Sequence, residues 1–253
     1  ENEFDTWGRI QKMIYPDGEV VDFKYDKGGN LLAMTGEKLG TTYPIIHQLG
    51  YNKFEERVFL EYGNGTTTTY EFEPGKRRIS ALNSLNTNGN KLRTYSYQYD
   101  FLDNPISVKG QATVDAKLNT AQFDYAYNYD QLNRLNSVVA DFQAPNQQED
   151  YQTILDYDVL DNLTQKIQDH FRNDEAVETQ SYQIDYRYEE DTKPHRATQI
   201  GATEKEYDSN GNAKVATEED PVSRTQYLWD EENRLIASAT DGYVSYYTYD
   251  AFG

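Results

Sequence analysis

Residues 127–135 read Tyr-Asn-Tyr-Asp-Gln-Leu-Asn-Arg-Leu, and this stretch decides the fold. Side chains alternate between the two faces of a strand, so the spacing aromatic–x–aromatic places Tyr127 and Tyr129 on one face. Asp130 then ends the strand, because its carboxylate can accept N–H bonds from the turn that follows. Asn133 stands where the backbone must enter the left-handed region, which Asn and Gly tolerate best. The next Leu opens a return strand, so these residues predict a β-hairpin.

The same unit recurs along the whole chain. Asp, or a residue in its place, follows an aromatic residue at positions 5, 26, 52, 73, 100, 130, 158, 189, 208, 230 and 250. The spacing varies, which suits hairpins joined by loops of different length. We therefore predict one array of about eleven repeats over residues 1–253, cut from a longer chain and without a separate toxin or protease domain. The predicted structural repeat residues are Tyr25, Asp26, Tyr97, Tyr99, Asp100, Tyr127, Tyr129, Asp130, Tyr157, Asp158, Tyr207, Asp208, Tyr227, Trp229, Asp230, Tyr249 and Asp250.

The composition favours an aromatic layer over a thick aliphatic core. Leu, Ile, Val and Phe make up about a fifth of the chain, whereas Tyr alone contributes 23 residues. A single hairpin is marginal in water, but stacked hairpins pair their edges and align their rings, and each aromatic cross-strand pair contributes about 0.2–1 kcal/mol. We predict an all-β fold of repetitive antiparallel hairpins in a long curled sheet. Residues 170–181 could hold a helical turn or a loop.

Charge and residue usage exclude several function classes. The formal net charge is −19, which disfavours nucleic acid and anionic lipid as partners. The chain has no Cys, and hence no thiolate nucleophile or Cys-based metal site. Its longest apolar runs are far shorter than the roughly 20 residues that cross a bilayer, so we expect no membrane insertion by this segment.

The recurring Tyr-Asp-x-x-Gly/Asn-Asn/Arg-Leu unit resembles the YD repeat of RHS (rearrangement hotspot) proteins. The stretches Tyr15-Pro16-Asp17-Gly18 and Lys193-Pro194-His195 resemble bacterial members. The resemblance implies a hollow β-shell, as in bacterial polymorphic toxins, the B and C subunits of insecticidal toxin complexes and animal teneurins. In many bacterial shells an Asp-Pro-x-Gly region releases the toxin. Asp220-Pro221 departs from that pattern, so self-cleavage is not carried over.

Three chemical readings compete with a structural one. The repeated carboxylates could form catalytic pairs as in glycosidases, but recurrence in every unit favours turn capping. The stretch 208–212 with Glu219 at the twelfth place echoes a calcium loop, yet its sixth position is Ala213 where Gly is required. His47, His170 and His195 accompany no nucleophile motif, so surface or packing roles are favoured.

The leading hypothesis is a non-enzymatic structural segment that needs no cofactor and no metal. It would form part of a β-shell that encloses and sequesters a toxin or the C-terminal polypeptide of its parent protein, in a secreted, exported or cell-surface setting. One alternative is a cell-surface module whose Tyr-rich face binds carbohydrate or protein. A second alternative is a glycosidase built on the repeat scaffold.

Overall fold

The computed structural model of the protein describes residues 1–114, 119–188, 193–219 and 222–250. Within them the chain forms 22 strands and no helix. The strands are β1 (Asn2–Phe4), β2 (Ile10–Ile14), β3 (Val20–Tyr25), β4 (Leu31–Lys38), β5 (Thr41–Tyr51), β6 (Arg57–Tyr62), β7 (Thr67–Phe72), β8 (Ile79–Leu85), β9 (Lys91–Tyr99), β10 (Pro105–Thr113), β11 (Thr120–Tyr129), β12 (Leu135–Ala144), β13 (Gln147–Tyr157), β14 (Leu163–Arg172), β15 (Glu175–Ala176), β16 (Tyr182–Arg187), β17 (Gln199–Ile200), β18 (Thr203–Tyr207), β19 (Ala213–Glu219), β20 (Val222–Trp229), β21 (Leu235–Thr240) and β22 (Tyr243–Tyr246).

Consecutive strands pair antiparallel. The pairing is continuous from β1 to β11, and again from β16 to β22. Strand β14 pairs with both β15 and β16. The prediction of an all-β fold of successive antiparallel hairpins is confirmed. No helix that could span a membrane occurs in the part of the chain described.

The chain divides into two compact units. Unit 1 comprises Glu1–Tyr127 with Ala140–Glu149, and unit 2 comprises Asn128–Val139 with Asp150–Gly253. The Tyr-Asp motif runs through the sequence of both. The reading of residues 1–253 as one array of about eleven repeats stays a prediction. Two of its features, the repeat at position 189 and the Asp220-Pro221 pair, lie outside the described residues.

The sheet of unit 1 has two chemically different faces. Strand register sets Leu49 opposite Leu60, Leu60 opposite Thr68, and Thr68 opposite Ser84, all of them buried. On the other face Asn83 lies between Thr69 and Thr94 of the adjacent strands. Side chains of a paired sheet keep to one face along a register row, so the alternation predicted from sequence holds here.

The aliphatic core is thin. Among the described residues the buried hydrophobic positions are Val21, Leu49, Leu60, Ala121, Ala140 and Val215. Most of the Tyr side chains are half-buried. An aromatic ring can bury its face while its edge stays near water, which explains how a chain poor in Leu, Ile and Val folds.

Residues 170–181 contain no helix. Strand β14 runs on to Arg172, and Asn173 and Asp174, both with positive φ, turn the chain into β15. The backbone N–H of Ser181 then donates to the carbonyl of Val177. This i→i+4 bond closes a single helical turn, one of the two alternatives that the sequence left open, and it does not continue into a helix.

Candidate functional site: the Tyr-Asp turns

Each Tyr-Asp turn is closed by the carboxylate of its own Asp. In the turn at 130–134, Asp130 Oδ1 accepts the backbone N–H groups of Leu132 and Arg134 at 2.8 and 2.9 Å. The N–H of Asp130 donates to the Arg134 carbonyl, and the N–H of Asn133 donates to the Asp130 carbonyl. The same two side-chain bonds are made by Asp5, Asp100, Asp158, Asp208 and Asp230. Asp26 Oδ1 accepts the N–H of Asn30.

The fourth residue of each turn adopts a left-handed conformation. Asn133 has φ +62°, and Asp103 and Asp161 have φ +73° and +68°. Gly29 and Gly211 take this place in their own turns. Asn, Asp and Gly pay the smallest steric penalty there, so the identity of this residue follows from the turn geometry. The turn is the three-residue hairpin loop with a bulge, and the strand registers shift beside it.

The side chain of the fifth residue donates a hydrogen bond to the second oxygen of the Asp carboxylate. Arg134 Nε donates to Asp130 Oδ2 at 2.7 Å, and Asn162 Nδ2 donates to Asp158 Oδ2 at 2.8 Å. Either Arg or Asn occupies this position, because the side chain of each supplies an N–H donor. In the turn at 52–56 the first and fifth residues exchange the roles of hydrogen-bond donor and acceptor. There Asn52 Nδ2 is the donor and Glu56 Oε2 the acceptor, at 2.6 Å.

In six repeats the aromatic residue before the Asp reaches back to the preceding repeat. Tyr157 donates its hydroxyl to the Leu135 carbonyl at 2.9 Å, and Tyr25 donates to Ile10 O at 2.8 Å. Tyr99, Tyr207 and Tyr249 make the corresponding bonds to Ile79, Ala197 and Leu235. Trp229 replaces Tyr and donates Nε1–H to the Ala213 carbonyl at 2.7 Å. These six positions share a polar donor on an aromatic ring.

Arg at the fifth position couples a turn to the next one. The Arg134 guanidinium lies over the Tyr157 ring, 4.6 Å from its centroid. Its Nη1 donates to the Asp158 carbonyl at 3.2 Å and to Asp161 Oδ1 at 2.7 Å. Arg78, the sixth and last residue of the longer turn at 73–78, repeats this arrangement with the turn at 100–104. One side chain thus contacts its own carboxylate, the next aromatic ring and the next turn.

Sequence reasoning missed these arginines. The candidate residues were the aromatic and Asp positions, whereas Arg9, Arg78, Arg134 and Arg234 also stack on the Tyr of the following repeat. The available signal was Arg at the last position of these turns, where other repeats carry Asn. A second signal was Asp at the fourth position of the following repeat, seen at 103 and 161.

The turn carboxylates are held in their ionised form. Hydrogen bonds from the Arg134 backbone lower the pKa of Asp130 from its ordinary value, and the Asn162 side chain does the same for Asp158. The Asn104 side chain lowers the pKa of Asp100. A donor to the charged form stabilises it. A carboxylate acting as a general acid needs the opposite shift, so this environment suits turn closure.

Five aromatic rings form a continuous row on one face of unit 1. Tyr95 and Tyr97 stack with centroids 6.3 Å apart, and Tyr125 and Tyr127 stack at the same distance. Phe123 links them, with its centroid 5.2 Å from Tyr95 and 6.1 Å from Tyr125. This is the period-two row that the aromatic–x–aromatic spacing predicts. In unit 2, half-buried Tyr227 lies on β20, and Asp250 is exposed near the C-terminal end of the described chain.

The histidines occupy separate settings. His170 is fully buried and stacks on Tyr151, with centroids 4.3 Å apart and planes 4° apart. Exposed His47 lies 3.2 Å from Glu61, and His195 Nδ1 lies 2.8 Å from Asn162 Oδ1. None of the three lies in a metal-type cluster, since no group of three acidic or His side chains converges in the described residues.

The stretch 208–212, which resembles a calcium-binding loop in sequence, forms one of the Tyr-Asp turns. Asp208 Oδ1 accepts the backbone N–H groups of Asn210 and Asn212, and its Oδ2 accepts from the Asn212 side chain. These bonds use the carboxylate within the turn. The side chain of Glu219 lies outside the described residues.

Comparison with known proteins identifies the fold. No profile of a known protein family matches the chain. The toxin subunit YenC2 of Yersinia entomophaga is 28% identical over 141 residues, which cover 53% of this chain and 14% of that protein. The crystal structure of TcdB2-TccC3-Cdc42 superposes with a TM-score of 0.68 at 18% identity, over 94% of this chain and 13% of that one. The chain has the RHS/YD-repeat fold.

A second solved structure agrees. The Photorhabdus luminescens Tc holotoxin pore superposes on the YD-repeat chain with a TM-score of 0.67 at 19% identity, over 94% of this chain and 13% of that one. The two superpositions show that the chain shares its fold with a part of each of these structures. The YD-repeat chain spans 14% of the curated relative's length and 13% of the two solved chains.

Proposed function

We propose that the chain is a wall segment of a β-shell that encloses and sequesters a toxin or another polypeptide of its parent protein. The wall separates the enclosed polypeptide from the surrounding solvent and carries out no reaction. The observation that carries this proposal is the superposition of 94% of the chain on TcdB2-TccC3 with a TM-score of 0.68. The matching curated protein is itself named a toxin subunit. A secreted or exported setting goes with the same proposal.

The chemistry of the turns supports a structural role. A wall needs each repeat to hold its neighbours, and the Tyr157 hydroxyl and the Arg134 guanidinium both span from one repeat to the next. Both oxygens of Asp130 are occupied by its own turn. Because the carboxylates recur once per repeat with lowered pKa values, we assign them to hairpin closure and not to acid–base catalysis.

A binding module is the second candidate, favoured by the aromatic row from Tyr95 to Tyr127 and the 38% exposure of Tyr125. Aromatic rings can stack on the apolar faces of sugars. Saturable glycan binding that is lost in Tyr125→Ala, with folding intact, would favour this function. Turnover of chromogenic glycosides that is abolished by Asp130→Asn would favour the glycosidase alternative instead.

Protease protection tests enclosure directly. The natural protein that carries this chain would be digested with a nonspecific protease, and the survival of its remaining polypeptide followed by mass spectrometry. The matched control is that polypeptide produced without the repeats. We expect digestion to be at least tenfold slower in the presence of the repeats. Equal digestion rates with and without them would contradict the proposal.

A further inference from the structure

The loop 193–197 of unit 2 is held in place by the fifth residue of the preceding Tyr-Asp turn. Asn162 is buried, and its Nδ2 donates to the Pro194 carbonyl at 2.9 Å and to Asp158 Oδ2 at 2.8 Å. Its Oδ1 lies 2.8 Å from His195 Nδ1. An amide oxygen can only accept, so His195 Nδ1 is the donor of this bond. The loop is therefore fixed at two successive residues.

This loop lines a cavity of about 540 Å³ that opens to solvent, and Tyr207 and Gly211 complete the lining. Tyr207 is tied to the loop, because its hydroxyl donates to the Ala197 carbonyl at 2.6 Å. Pro194, Ala197 and the Tyr207 ring supply apolar surface. The volume falls within the range of small-molecule sites, about 300–1,000 Å³.

Two cations line the same cavity although the chain as a whole is acidic. Lys193 is exposed and forms no ion pair within the described part of the chain. The Arg196 guanidinium lies over the Tyr207 ring, 4.8 Å from its centroid. Arg196 makes further contacts within the chain, but a guanidinium has five N–H donors and can bind an additional acceptor. The cavity therefore favours an anionic ligand.

The turn beside Arg196 lacks a carboxylate that another repeat supplies to its arginine. Arg134 stacks on a Tyr ring in the same way, and its Nη1 donates to Asp161 Oδ1, the fourth residue of the next turn. Gly211 is the fourth residue of the turn that follows Arg196 and brings no side-chain acceptor. A Cβ at Gly211 would meet nothing within 4 Å. The space that a carboxylate fills at Asp161 is therefore open here.

We propose that this cavity binds a carboxylate attached to an apolar body. The carboxylate pairs with Arg196 and Lys193, and the apolar body packs against Pro194 and Tyr207. Arg and carboxylate form strong charge-assisted hydrogen bonds, which makes a carboxylate the anion that fits. This goes beyond the proposed enclosure, because it assigns unit 2 a ligand site that needs no enclosed polypeptide.

Isothermal titration calorimetry of the wild-type chain with N-acetyl-phenylalanine tests the proposal. We expect saturable binding at one site per chain. N-acetyl-phenylalaninamide lacks the carboxylate and should bind about tenfold more weakly, because it loses charge-assisted hydrogen bonds. A short peptide that ends in phenylalanine distinguishes two sources of the natural ligand. Tighter binding of the peptide assigns a polypeptide C-terminus, and tighter binding of the free acid assigns a small molecule.

Two variants of Gly211 isolate the effect of the carboxylate. Gly211→Asp gives Arg196 an internal carboxylate, as Asp161 does for Arg134, and should bind N-acetyl-phenylalanine about tenfold more weakly than Gly211→Asn. The two new side chains have the same size, so their comparison removes the steric effect. Both variants should fold, because Asn133 and Asp161 adopt positive φ at this position of their own turns.

Two lysine variants test the exposed cation. Lys193→Gln should weaken binding about two- to fivefold, as expected for an exposed ion pair. Lys214→Gln, an exposed position on β19 outside the cavity, should leave binding unchanged. The proposal is overturned if the wild-type chain shows no saturable binding, if the acid and the amide bind equally, or if the two Gly211 variants bind equally. Equal effects of the two lysine variants overturn it as well, because the overall charge of the chain would then account for the binding.

Discussion

Replacing Gly110 by Ala should destabilise unit 1, because the aromatic row depends on the absence of a side chain there. Gly110 lies on β10 directly between Tyr95 on β9 and Phe123 on β11. A Cβ at this position would meet the Phe123 ring and would stand 2.6 Å from the Thr94 carbonyl oxygen. The ring can turn aside, but a carbonyl paired within the sheet cannot.

The size of the effect follows from two opposing contributions. Overpacking of this kind costs about 1–3 kcal/mol. Replacing Gly by Ala also lowers the entropy of the unfolded chain, which offsets about 0.4–1 kcal/mol. We expect a net loss of about 1–2 kcal/mol in the unfolding free energy, since the clash includes a fixed backbone atom. Urea unfolding monitored by circular dichroism measures it.

A control and a second variant make the test specific. Gly75→Ala places its methyl group in open space, so its unfolding free energy should stay unchanged or rise slightly. In a Phe123→Leu background the Gly110→Ala change should cost less, because one of its two clashes is relieved. The reasoning is refuted if Gly110→Ala behaves like Gly75→Ala, or if its cost is the same with Leu at 123.

Three further changes test the turns. Tyr157→Phe removes the hydroxyl donor to Leu135 O and should lower the unfolding free energy by about 1 kcal/mol, whereas exposed Tyr243→Phe should leave it unchanged in the same urea titration. Asn52→Asp should lower the urea midpoint because it sets a carboxylate against Glu56, and adding Glu56→Asn should restore it; no restoration would contradict the exchanged polarity. The pKa values of the turn carboxylates lie below their ordinary value of 3.8 in the folded state, so they stabilise the fold above that pH and the stability is lost as pH falls through and below it. A urea midpoint that rises as the pH is lowered from 5 to 3 would contradict this.

The local rules of the hairpin could be read from sequence. Alternation of Tyr127 and Tyr129 follows from strand geometry, and the Asp–turn–Asn order follows from which residues close a turn and tolerate positive φ. The all-β class then follows from repetition of that unit. Each of these inferences uses residues within nine positions of one another.

Contacts between repeats could not be read in the same way. Arg134 contacts Asp161 across 27 positions, and that separation depends on the length of the intervening strands, which varies between repeats. Gly110 was not singled out because its role depends on register with Phe123 in the next strand. The sequence pattern places Asn52 at an Asp position, but it does not show that Glu56 keeps the hydrogen bond by exchanging donor and acceptor.

The turns at 100–104 and 158–162 are each held by an Arg from the turn before them, Arg78 and Arg134. Hydrogen exchange of an Arg134→Ala variant tests this most directly, with Arg224→Ala, an exposed strand residue, as the matched control. We predict faster exchange at the amides of Leu160 and Asn162 in Arg134→Ala, because Arg134 holds the Asp158 carbonyl and the Asp161 carboxylate. Exchange at the turn at 208–212 should not change. Unaltered exchange at 158–162, or an equal rise at every turn, would contradict the account.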